Sequence, residues 1–110
     1  MKKQLLYLTL AATLAACGSG GNSGDTTNDN LELSGLEKYN KDDYKGAIAD
    51  YDKHIAQFPN DTSAYFNRAR AKGMLGDFNG SLQDNTKTLE LDPTYQKAYY
   101  NRALDKIELN

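Results

Sequence analysis

The feature that most constrains this chain is a period of 34 residues. Laid over itself at that offset, Pro59 meets Pro93, and Asp43, Gly46, Asp50 and Lys53 meet Asp77, Gly80, Asp84 and Lys87. Tyr44 meets Phe78, Ile48 meets Leu82, Ile55 meets Leu89, and the string AYFNRA at 64–69 meets AYYNRA at 98–103. Self-similarity at such a period means stacked supersecondary units, each too small to bury its own apolar face.

Within a unit the pattern is helical. Ile48, Tyr51 and Ile55 recur at spacings of three and four and share one face, and Leu82 and Leu89 repeat the stripe. Asp61 stands before TSAYF and can cap a helix start. Leu75-Gly76-Asp77 closes one helix, because glycine accepts the left-handed conformation. FPND at 58–61 and the Asp-Pro pair at 92–93 mark the breaks between units. Five helices follow, at about 29–40, 44–57, 61–75, 78–90 and 95–109.

This arrangement resembles the tetratricopeptide repeat (TPR), a 34-residue pair of antiparallel helices. The second unit carries Tyr65, Ala69, Leu75-Gly76-Asp77-Phe78, Ser81-Leu82 and Pro93. The first carries Gly35, Tyr44, Ala47-Ile48, Tyr51 and Pro59, and the third begins with Tyr99 and Ala103. His54 and Thr88 stand where the family usually has alanine, Asn85 stands where an aromatic is common, and the first unit lacks the early aromatic. The resemblance implies an all-α fold, a short TPR α-solenoid of about two and a half repeats over residues 31–110. Its units fall at about 28–61, 62–95 and a partial 96–110.

The resemblance also implies where a partner lies, along the concave face of the first helices of each pair. Those positions are Leu36 and Tyr39, with Glu32, in the first unit. In the second they are Phe66, Arg70 and Met74, with Gly73, and in the third Tyr100, Leu104 and Ile107. Such an apolar and aromatic stripe serves either as core or as a peptide site. Tyr65, Ala69, Tyr99 and Ala103 already fill the packing positions, which favours neither role outright. Family members that clamp a terminal carboxylate use Lys, Asn and Arg. Asn67 and Lys97 match parts of that clamp, Glu32 and Leu36 do not, and no clamp is expected.

The first 30 residues read differently. MKKQLLYLTLAATLAA, residues 1–16, has the basic start, short apolar stretch and small residues of a secretory signal. Its apolar part is about half of what crosses a bilayer core as a helix. LAAC, at 14–17, resembles the lipobox of bacterial lipoproteins, in which the cysteine sulfur takes a diacylglycerol and the leader is cut just before it. On that reading Cys17, the chain's one cysteine, is the lipid attachment point and the first residue of the mature protein. An ordinary signal peptide with a chance cysteine is the alternative. Residues 18–30 contain no aliphatic or aromatic side chain and read as a flexible tether. The expected location is the bacterial cell envelope, lipid-anchored, with Gly18 pointing to the periplasmic face of the outer membrane.

Composition excludes several classes. The net charge of -2, from 13 basic and 15 acidic residues, gives no footprint for nucleic acid. A single cysteine forms no internal disulfide, and a single histidine, His54, makes a histidine metal site or a catalytic triad hard to build. There is no Gly-rich phosphate loop and no nucleophile–base motif, so no enzyme, cofactor or metal is expected. The acidic side chains are expected to be solvated, and His54 packed or half-exposed. The last helix carries Tyr99, Tyr100, Leu104, Ile107 and Leu109 with no helix after it. That points to docking on a partner, to a homo-oligomer through this helix, or to a C-terminally truncated repeat protein. The functional expectation is a lipoprotein adaptor or scaffold binding a protein or peptide. A self-association module is the alternative.

Overall fold

The computed structural model describes residues 28–110. They form five helices: α1 Asn28–Asn40, α2 Tyr44–Gln57, α3 Thr62–Met74, α4 Phe78–Leu91 and α5 Gln96–Leu109. Each end lies within a residue of the position read from the repeat. The leader, Cys17 and most of the tether lie outside the described residues, and α1 takes residues 28–30 from the stretch assigned to the tether.

Local chemistry sets the helix ends. Asp43, Asp61 and Asp77 are the N-caps of α2, α3 and α4. They accept the backbone N–H of Gly46 at 3.0 Å, Ser63 at 3.2 Å and Gly80 at 3.0 Å. α5 has no side-chain cap; Asp92 instead organises the preceding turn, accepting the N–H and hydroxyl of Thr94 at 2.9 and 2.6 Å. The two hairpin turns match. Gly76 sits at φ 83°, and the Asp77 N–H reaches back to the Lys72 carbonyl at 2.9 Å. One period earlier, Asp42 sits at φ 64°, and the Asp43 N–H reaches the Lys38 carbonyl at 2.8 Å. Glycine is free of strain there; Asp42 is not, but the Tyr44 hydroxyl donates to its Oδ1 at 2.9 Å.

Each helix packs on the next, and α3 also touches α1 and α5. The result is two antiparallel hairpins, α1–α2 and α3–α4, followed by α5. The α1, α3 and α5 helices adjoin on one side of the stack. The apolar core is divided among the helix crossings. Tyr39, Ala47, Tyr51 and Ala71 form one cluster, with Tyr44, Ile48 and Met74 against it. Ile55, Ala64 and Tyr65 form a second with Leu91, and Phe66, Leu89 and Ala98 a third with Tyr95. Fully buried alanines at 47, 64, 69, 71 and 98 let the backbones approach.

The acidic residues are not all solvated, contrary to expectation. Asp50, Asp84 and Asp105 are 6, 4 and 0 % exposed. An unpaired buried carboxylate would cost far more than these helices could bear. Each has instead found donors on a neighbouring helix. Asp50 accepts from Ser34 at 2.6 Å and pairs with Lys38 at 2.9 Å. Arg68 grips Asp84 with two bonds of 2.8 Å, and Lys72 adds a contact at 3.0 Å. Asp105 accepts from Ser81 at 2.8 Å and Asn85 at 3.0 Å. The family's alanine positions also turn polar: His54 is buried, and buried Thr88 donates to the Asp84 carbonyl at 2.9 Å.

Candidate partner-binding groove

The eight concave-face residues do not make one open surface. Tyr39, Phe66, Arg70 and Leu104 are buried, so this part of the stripe holds helices together. The reason is the contact of α3 with both α1 and α5, which closes their inner positions over one another. Tyr39 belongs to the first core cluster, with the Tyr44 ring edge-on at 5.3 Å. Phe66 belongs to the third, its ring 5.0 Å from Tyr95. Leu36 and Met74 are half-buried, while Tyr100 and Ile107 are 47 and 53 % exposed. Accessible apolar surface therefore lies at the two ends of the stripe, with Arg70 sunk between them.

Arg70 lies with its guanidinium over the Tyr39 ring, 4.5 Å from the centroid. Its charge also acts on the phenols of Tyr51 and Tyr95, which burial pushes above the usual tyrosine value. Glu32, on α1, acts on the same two phenols with the opposite sign. The Glu32 carboxylate accepts from the Ser63 hydroxyl at 2.7 Å, joining α1 to the start of α3. Of the possible clamp residues, Asn67 is half-buried and Lys97 exposed.

Beside Glu32, the sequence reading missed a polar cluster. Glu32, His54 and Asp61 bring one potential ligand atom each to within 4.8 Å of one another. They line a cavity of about 480 Å³ with Gln57, Phe58, Pro59 and Asn60. His54 Nε2 lies 2.7 Å from Asp61 Oδ2, and Ser63 serves both carboxylates. The cluster satisfies itself, apart from His54 Nδ1, which is buried without a partner. Its sequence signal was faint: one histidine at an alanine position, a period away from a threonine.

Two tyrosines show what the stacking does. Tyr65 and Tyr99, one period apart, each donate to the carbonyl of the turn proline, at 2.8 Å to Pro59 and 3.0 Å to Pro93. Tyr65 is buried, as is Ala69; Tyr99 and Ala103 are exposed, because no helix among the described residues packs there. No helix among the described residues is long and apolar enough to cross a membrane.

No protein-family model matches the chain, and no curated protein matches it. Solved structures do. One is the TPR2B domain in a pHsp70 complex of yeast Sti1, 32 % identical, with a TM-score of 0.71 over 74 % of this chain. The match spans 65 % of that structure's length. Together with the helix order, this makes the fold a short all-α solenoid of TPR type.

Proposed function

We propose that this chain is a bacterial envelope lipoprotein whose repeats hold a peptide or protein partner along α1, α3 and α5. It acts as an adaptor, without catalysis and without a cofactor. The observation that carries the reading is the pairing of exposed Tyr100 and Ile107 with half-buried Leu36 and Met74 on one side of the stack. The similar yeast domain was solved as a pHsp70 complex, which supports a partner-binding role for this scaffold. The test replaces only accessible residues. Tyr100→Ser with Ile107→Ser should abolish capture of the native partner while helicity by circular dichroism persists. Unchanged capture refutes the groove.

The anchor rests on LAAC. A diacylglycerol on Cys17 with an acylated amino group supplies the multiple chains that stable attachment needs. The tether then gives the repeats slack at the periplasmic face of the outer membrane. Loss of Lys2 and Lys3 with the leader would take the net side-chain charge from -2 to -4. Cys17→Ala should leave an unprocessed precursor that takes up no labelled fatty acid. A lipid-labelled mature form of that variant would refute the anchor.

A second reading has its own observation. Among the described residues six large hydrophobics are exposed, and four of them, Tyr99, Tyr100, Ile107 and Leu109, lie on α5. Pairing of α5 between two chains would cover them. A stable monomer in a micromolar light-scattering dilution series excludes it.

A further inference from the structure

Arg70 is buried to 5 % exposure, yet no carboxylate, carbonyl or hydroxyl among the described residues pairs with it. A guanidinium carries five N–H donors, and no Arg70 nitrogen is among the side-chain atoms fully buried without a partner, so solvent, and a ligand, can reach them. The Tyr39 ring face offsets part of the cost of burying the charge. Arg68, two residues earlier, shows the usual solution, with Asp84 and Asp52 both bonded to it. The hydroxyls of Tyr39, Tyr51 and Tyr95 make no hydrogen bond to any described residue, and the Arg70 charge reaches the last two. The scaffold does not require a cation here, for one period to either side stand Leu36 and Leu104.

We propose that Arg70 anchors one acidic side chain, Asp or Glu, of an extended peptide lying along the α1–α3–α5 groove. This rests on the groove being a peptide site. One guanidinium matches a carboxylate, a planar monoanion that takes two parallel N–H bonds. Charge narrows the occupant further. Glu32, Asp61 and Asp92 all act on Tyr95 and make the neighbouring rim acidic. A peptide rich in acidic residues is repelled there. The segment that fits has a single acidic residue among apolar and basic ones. The carboxylate is a side chain rather than a chain end, because apolar surface continues on both sides of Arg70, half-buried at Leu36 and Met74 and exposed at Tyr100 and Ile107.

The test is selection from a random peptide library displayed with both ends tethered, using the described domain within the full chain. Wild-type protein should enrich peptides with Asp or Glu at one position. In the synthetic form of the best binder, with blocked termini, Glu→Gln should weaken binding about tenfold or more, as loss of a charged hydrogen-bond pair does. Against Arg70→Gln the same peptide change should have almost no effect. The peptide substitution reads the contact in wild-type protein, so the result stands even if Arg70→Gln folds poorly. An enriched motif without an acidic position overturns the Arg70 assignment and leaves the groove intact. Failure to enrich any peptide overturns both. Binding of the best peptide that ignores Glu→Gln also overturns the assignment.

Discussion

Gly35 stands where α1 crosses α2, and its absent side chain is structural. A Cβ there would lie 2.8 Å from Tyr51 Cε1, and that ring is buried and cannot swing away. Gly35→Ala should therefore destabilise the fold by about 1–3 kcal/mol, read as a lowered thermal midpoint. A second residue-scale prediction concerns acid. Burial alone would raise the carboxyls of Asp61 and Asp50. The His54 and Ser63 donors to Asp61, and the Ser34 and Lys38 donors to Asp50, outweigh it and hold both below the usual 3.8. Each group then binds protons more weakly folded than unfolded. The stability it contributes is complete well above pH 3.8 and drains away as pH falls through the depressed folded value. Melting from about pH 6 to about pH 2.5 should show the midpoint fall in the acid range, more shallowly for Asp61→Asn. Asp61 was legible in the sequence as a helix cap but not as the partner of His54, and Asp50 was not legible as a buried group. A helical pattern shows that Asp50 and Asp84 share a register, but the basic partners that let them be buried sit on other helices.

At the scale of the element, the repeat made the helices legible. The proline-marked breaks at 58–61 and 92–93, the Leu75-Gly76-Asp77 turn and the Asp61 cap placed the helix ends to within a residue. What the repeat conceals is that equivalent faces differ in chemistry. α2 buries Ala47, Asp50, Tyr51, His54 and Ile55; one period later α4 buries Ser81, Asp84, Asn85, Thr88 and Leu89. The contact of α4 with α5 is thus built largely of hydroxyl, amide and carboxylate groups, and Asn85 Oδ1 and Asn101 Oδ1 are buried in it without partners. Unmet polar groups weaken an interface, and among the described residues α5 is covered on one side only. Its amides should exchange with deuterium well before those of α3, which packs against α2 and α4. Equal protection of α3 and α5 would contradict this. The opposite case is Asp84, which ties α3 to α4 through Arg68 and Lys72 while Arg68 also reaches Asp52 of α2. Asp84→Ala should cost about 1–3 kcal/mol in chemical denaturation.

For the whole molecule, sequence and structure divide the work unevenly. The solenoid and its register followed from the 34-residue period; the α1–α3–α5 side as a partner face is what the family resemblance implies. Which concave residues are free to touch a partner followed from neither, because that depends on how closely α3 approaches α1 and α5. Tyr39, Phe66 and Leu104 proved to be core, and Arg70 a buried cation. On the proposed function, the α1–α3–α5 side meets a partner. The most direct measurement places a photo-crosslinking residue at Tyr100 and, separately, at exposed Gln83 on α4, in the full-length protein in its native cell. A discrete crosslinked species is expected from position 100 and none from position 83. The same species from both positions, or from position 83 alone, would contradict that reading.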